Sequence, residues 1–145
     1  MKKFLLTVSI FLFMLISNAQ ITFQKMYGGA DMDIGYTVQQ TSDGGYIISG
    51  GTASPITGDE DVYLIRTNAS GDTLWTRTFG GSGGDFAYFS QQTDDGGFII
   101  TGITNSFGID SSDVYLIKTD INGSLLWSKI YDGTGYSQGR CVQQT

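Results

Sequence analysis

The 145-residue chain has no histidine, one cysteine, one proline and only eight basic residues against fourteen acidic ones. Each shortage removes a class of function. Without histidine, Ser-His-Asp and Cys-His nucleophile systems and histidine-rich metal sites cannot be built from this segment. The lone thiol, Cys141, allows no intrachain disulfide, so stability must come from packing, although small exported domains commonly rely on disulfides. A formal net charge of −6 leaves no basic footprint for a phosphate backbone, so nucleic acid is not an expected partner. An anionic lipid surface would repel such a chain as well.

The one long hydrophobic run lies at the N-terminus. Lys2 and Lys3 precede the mostly apolar stretch from Phe4 to Ile16 (FLLTVSIFLFMLI), and Ser17-Asn18-Ala19 supplies small residues at a cleavage site. This is the layout of a secretory signal peptide over residues 1–19. The run is too short for a spanning helix, which needs about 20 residues. Gln20 follows the site where a bacterial lipoprotein would carry cysteine. The expected product is therefore secreted or held at the cell surface, with no membrane insertion after cleavage. Losing two lysines leaves 6 basic and 14 acidic groups, a net charge of −8.

What the chain does contain is glycine, 21 residues of it, and repetition. DVYLIRTNASGDTLW at Asp61 to Trp75 returns as DVYLIKTDINGSLLW at Asp113 to Trp127, 52 positions later. Gln39-Gln40-Thr41 recurs at Gln91-Gln92-Thr93 and again at Gln143-Gln144-Thr145. Between Tyr27–Thr78 and Phe79–Ile130, 24 of 52 positions are identical without a gap. A duplicated structural unit follows.

Each unit reads as four strands: Tyr36 to Thr41, Tyr46 to Thr52, Val62 to Thr67 and Thr73 to Thr78. Aromatic and β-branched residues fill them, and Asp-Gly-Gly and Asn-Gly supply the positive φ angles of tight hairpin turns. The third strand is apolar on both faces, which demands cover on both sides. Stacked four-stranded meanders repeating every 40 to 50 residues or so are β-propeller blades. The expected fold is all-β, a 52-residue repeat of antiparallel blades in an incomplete ring. Residues 28–79 and 80–131 would be two blades, and 132–145 the start of a third in a fragment of a longer protein. Phe23 to Gly29 (FQKMYGG) aligns with Trp75 to Gly81 and with Trp127 to Gly133. Residues 20–27 are thus expected to be an orphan fourth strand that closes the ring.

The strings DGGYIISGGT, DVYLIRT, GDTLW and FGG together resemble the β-propeller repeats of large exported bacterial surface proteins, many of which end in a type IX secretion sorting domain. That resemblance covers the chain after residue 19 and implies a fold and a destination, with no reaction attached. Gly71 with Trp75 is similar to the Trp-docking pattern of quinoprotein propellers. Gly50-Gly51 is kelch-like, but Gly102-Ile103 breaks the pattern in the second unit.

Chemistry is sparse. Asp59-Glu60-Asp61 could supply a carboxylate pair for glycoside hydrolysis, yet the second unit has Ser111-Ser112-Asp113, and neighbours on a strand point to opposite faces. Asp31 and Asp33, and Asp120 with Asn122, have the spacing of partial calcium loops. Turn chemistry accounts for the same residues, so no cofactor is expected and calcium is the sole metal alternative. Trp75 and Trp127 recur once per unit, as docking residues between blades would. Cys141, inside a first strand, is expected to be a small buried side chain. The expected function is an exported, non-catalytic scaffold or binding module that contacts an extracellular protein or carbohydrate. The alternative is the propeller portion of an exported polysaccharide-acting enzyme with its catalytic residues elsewhere.

Overall fold

A computed structural model of the chain describes residues 23–53, 59–108, 112–131 and 133–145. The signal segment 1–19, the first three residues of the expected closure strand and Asp132 lie outside the described residues. Eight strands form two four-stranded antiparallel sheets with no helix among the described residues. The first sheet contains β1 (Asp33–Gln40), β2 (Tyr46–Ala53), β3 (Glu60–Thr67) and β4 (Thr73–Phe79). The second contains β5 (Asp85–Gln92), β6 (Phe98–Thr104), β7 (Asp113–Thr119) and β8 (Leu125–Tyr131). Both are simple meanders in chain order.

The turns set the register. Between β1 and β2, the Thr41 amide donates to the Gly45 carbonyl and the Gly44 amide to the Thr41 carbonyl, each at 2.9 Å. Gly44, Gly71, Gly96 and Gly123 all take positive φ, between 75° and 82°, as tight hairpins require. A charged clamp reinforces each first turn. Asp43 accepts from Thr41 Oγ1 (2.7 Å), from the Gly45 amide (3.1 Å) and, through both its oxygens, from Arg66 Nη2 (2.6 and 2.7 Å). Asp95 repeats the arrangement with Thr93, Gly97 and Lys118.

These contacts make the turns sensitive to acid. The Thr41 hydroxyl, then Arg66 and the Gly45 amide, lower the Asp43 carboxyl to about 2. Asp95 is lowered too, by Thr93 first and then Lys118. A carboxyl lowered on folding stabilises the fold fully above its unfolded value of about 3.9. That stabilisation is lost as pH falls through the folded value. Urea midpoints should therefore fall between about pH 4 and pH 2. The double variant Asp43→Asn/Asp95→Asn should start lower and respond less to pH over that window; an unchanged acid response would remove the clamps as its origin.

The two sheets meet through a single core. The first sheet contributes Ile47, Val62 and Leu64, and the second Ala87, Phe98, Ile100, Tyr115 and Ile117, with Trp75, Phe79 and Ile130 packed around them. Each fully buried aliphatic or aromatic side chain there contributes roughly 1.5–3 kcal/mol. The Trp75 ring meets the Phe98 ring edge-on at 5.7 Å. Gly123 leaves room for the far edge of that indole, because a Cβ there would stand 2.9 Å from Trp75 Cη2. The glycine under Trp75 therefore belongs to the second sheet, not to Trp75's own hairpin.

Residues 23–27 join no strand among the described residues; they lie against the first sheet. Phe23 meets Tyr46 edge-on at 5.7 Å, Lys25 pairs with Asp72 at 2.9 Å, and Tyr27 Oη donates to the Gly71 carbonyl at 2.8 Å. Phe23 thus stands to Tyr46 and Gly71 as Trp75 stands to Phe98 and Gly123. At the other end, residues 133–145 lie against the second sheet. There the Gly139 amide donates to the Gly102 carbonyl and the Ser137 amide to the Ser112 carbonyl, both at 2.9 Å. Cys141 departs from expectation: it is exposed, because its segment pairs with no strand among the described residues.

Candidate functional site

The edge where the first strands of the two sheets run together holds the densest group of unusual side chains. In β1 the register shifts between Gly35 and Thr37, and in β5 between Ala87 and Phe89. Each shift leaves one residue without a partner across the ladder, Tyr36 and Tyr88. A bulge of this kind re-aims the extra side chain. Here the two tyrosine rings turn toward one another, 5.1 Å apart and nearly perpendicular. Tyr36 also meets Phe86 at 6.3 Å.

Glycine opposite each bulge makes the pinch feasible. A Cβ at Gly50 would overlap the Ile34 carbonyl and lie 3.0 Å from Gly35 Cα; one at Gly102 would overlap the Phe86 carbonyl. Backbone thus touches backbone, and the bulged tyrosines are held by the main chain beneath them.

The row continues into residues 133–145. The Arg140 guanidinium lies 4.4 Å from the centre of the Tyr88 ring, the third member of a Tyr36, Tyr88, Arg140 series spaced by 52 positions. Burial first, and then the neighbouring Tyr136 and Tyr36 phenols, push the Tyr88 hydroxyl above its ordinary value. At neutral pH it is a neutral donor and acceptor, not a base. Tyr36 and Tyr136 keep much of their rings in solvent, at 48% and 64% exposure. Exposed aromatic faces, phenol hydroxyls and one guanidinium make a surface for stacking and hydrogen bonding. The row holds no carboxylate, thiol or imidazole.

Three of the four sequence-predicted metal residues take part in hydrogen bonds of turns and loops. Asp33 Oδ2 accepts from the Gly29 amide at 2.7 Å, which ties the chain entering β1. Asp120 Oδ1 accepts from the amides of Asn122 (2.9 Å) and Ser124 (2.7 Å). In the first sheet Asn68 Oδ1 does the same for Ser70 and Asp72, so the position requires an oxygen and not a charge. Asn122 offers its carbonyl to Arg77 at 2.8 Å. Asp31 is exposed and precedes β1. Asp31 and Asp33 sit at the first sheet, Asp120 and Asn122 at the second. No group of three or more histidine, cysteine or acidic residues fit to hold a metal occurs among the described residues.

One carboxylate pair arises that sequence order conceals. Asp61, at the start of β3, approaches Asp85 of the second sheet across Gly80. A methyl at Gly80 would collide with Asp61 Oδ1 and stand 2.7 Å from Asp85 Oδ2. Burial first, then Asp85 and then Asp59, raises the Asp61 carboxyl. Asp85 is fully buried, and its Oδ2 accepts from the Gly81 amide at 3.0 Å and from Ser106 Oγ. A carboxylate enclosed in this way ties together the chain where the sheets cross. The signal for the pair lies in the repeat, where Asp33 and Asp85, and Asp61 and Asp113, occupy matched positions.

No protein-family model matches the chain, and no curated protein matches it either.

Proposed function

We propose that the two sheets are blades of a β-propeller with a 52-residue repeat, and that the protein is an exported, non-catalytic binding module. The Tyr36–Tyr88–Arg140 row is the observation that supports this most. Two bulges, each backed by a glycine, gather aromatic rings and a cation along the shared first-strand edge. In a propeller the first strands face the central channel, so the row would line it. A row of stacking faces and hydrogen-bond donors, with no carboxylate, thiol or imidazole in it, favours binding over turnover. Exposed tyrosine faces beside hydroxyl and guanidinium donors suit an extracellular glycan, with sugar rings stacked on Tyr36 and Tyr136. The signal-peptide layout and the acidic charge agree with a secreted or cell-surface location.

The alternative, a propeller within a polysaccharide-acting enzyme, would use the same tyrosine faces to hold the chain while catalysis occurs elsewhere. A glycan array probed with the wild-type protein and with Tyr36→Ala tests the binding reading. Retention of specific oligosaccharides by the wild type, reduced about tenfold or more in the variant, is the expected result. Equal retention by both proteins would move the binding surface away from the row.

A further inference from the structure

The boundary between the two sheets shows how a second strand is received. Phe98 opens β6, is fully buried, and sits with Ile47 in the core while Trp75 covers it edge-on. The same boundary is latched by Gln92 Oε1, which accepts from the Ser42 amide at 2.8 Å. On the far side of the second sheet the parts recur 52 positions later. Gln144 Oε1 accepts from the Asp94 amide at 2.9 Å, Ile99 stands where Ile47 stood, and Trp127 where Trp75 stood.

Two differences mark the far side. Trp127 is 40% exposed, although Lys129 stacks on it at 5.7 Å much as Arg77 stacks on Trp75 at 5.4 Å. Beside it opens a groove of about 550 Å³, lined by Ile99, Lys118, Trp127, Val142 and Gln144 among others. At the first boundary the matching position holds the Phe98 ring.

We propose that this groove is a docking site for the second strand of a further repeat, one that reads Gly-Gly-(Tyr or Phe)-Ile-Ile. The proposal rests on the stacked-blade reading above and gives it a specific receptor. Register fixes the pose. Gln40 pairs with Tyr46 and Gln92 with Phe98, so the incoming aromatic falls opposite Gln144 with its ring on Trp127. Its two following isoleucines fall opposite Gln143 and Val142, matching Ile47 with Gln39 and Ile48 with Val38. The strand adds antiparallel to 142–145, taking up main-chain groups that no strand pairs among the described residues. Within an otherwise polar lining, Ile99, Val142 and the indole offer apolar contacts to a strand of isoleucines.

The test uses the full chain and a fluorescein-labelled peptide, DDGGFIITGIT, copied from Asp94–Thr104. Fluorescence anisotropy should show saturable binding. Replacing the peptide's phenylalanine by alanine, or Trp127→Ala in the chain, should each weaken it about tenfold or more, as loss of a buried aromatic anchor does. Hydrogen exchange should report new protection of backbone amides within 142–145. No saturable binding, indifference to both substitutions, or displacement by oligosaccharides but not by unlabelled peptide overturns the proposal. Binding without amide protection also overturns it, since the strand pairing would be absent. Glycan retention through Tyr36 is read on a different edge, so the two experiments fail independently.

Discussion

Gly102→Ala should lower the thermal midpoint by roughly 10–15 °C, a loss of about 3 kcal/mol or more. The new methyl would overlap the Phe86 carbonyl and stand 2.8 Å from its carbon and 3.0 Å from Ala87 Cα. All three atoms are main chain, so no side-chain rotation relieves the clash. Relief requires β5 to lift away from β6 at the bulge, which breaks ladder hydrogen bonds and unseats Tyr88 from Tyr36 and Arg140. Gly29→Ala is the matched control: a methyl there would meet no atom within 4 Å, and its φ is ordinary. That change should stay within about 0.5 kcal/mol. Circular dichroism melts of the two variants decide the matter, and comparable midpoints would mean the bulge opens at little cost.

Phe98→Ala should destabilise by about 3–5 kcal/mol, the range for a large buried aromatic. Phe98 is the largest fully buried side chain among the described residues and the point at which Trp75 closes the core. Trp127→Ala, at the position repeating Trp75, should cost no more than about 1 kcal/mol, because its ring remains partly in solvent over Lys129. The contrast matters more than either number. Leu74-Trp75 and Leu126-Trp127 are the same dipeptide at matched positions, so unequal costs would come from the neighbouring sheet and not from the residue itself. Chemical denaturation monitored by circular dichroism measures both; equal losses would indicate that Trp127 packs in solution in a manner absent from the structure.

The strands are legible in the sequence to within a few residues. Tyr46 to Thr52, Val62 to Thr67 and Thr73 to Thr78 are found as Tyr46–Ala53, Glu60–Thr67 and Thr73–Phe79, because aromatic and β-branched runs end at glycine turns. Sequence pattern starts the first strand at Tyr36, but it begins at Asp33, which pairs with Thr52. That difference and the candidate site have one cause. Tyr36 looks like an ordinary strand aromatic, and only the opposing backbone at Gly50 reveals that it is the extra residue of a bulge. Asp61 with Asp85 is hidden for a related reason: the two belong to different units and meet only when the sheets stack. Strand position alone implies burial for Cys141, whereas its segment is covered on one face and unpaired at its edge. The Asp120 turn is readable throughout, since Asn68 serves identically without a charge.

The contact between the sheets also has a direction. One partner gives an indole and a backbone amide, Trp75 and Ser42; the other gives a phenyl ring, a bare glycine and an amide oxygen, Phe98, Gly123 and Gln92. No two-fold axis relates surfaces so unlike, so this contact is heterologous in kind, and on the blade reading proposed above further units would add head to tail. Such growth has only two outcomes. A rotation per step that divides the circle gives a closed body of fixed membership; any other rotation gives an open fibre that adds units indefinitely. On the blade reading proposed above, the crossing over Gly80, where the Asp61 and Asp85 carboxylates crowd together, is a place where a substitution would alter that rotation.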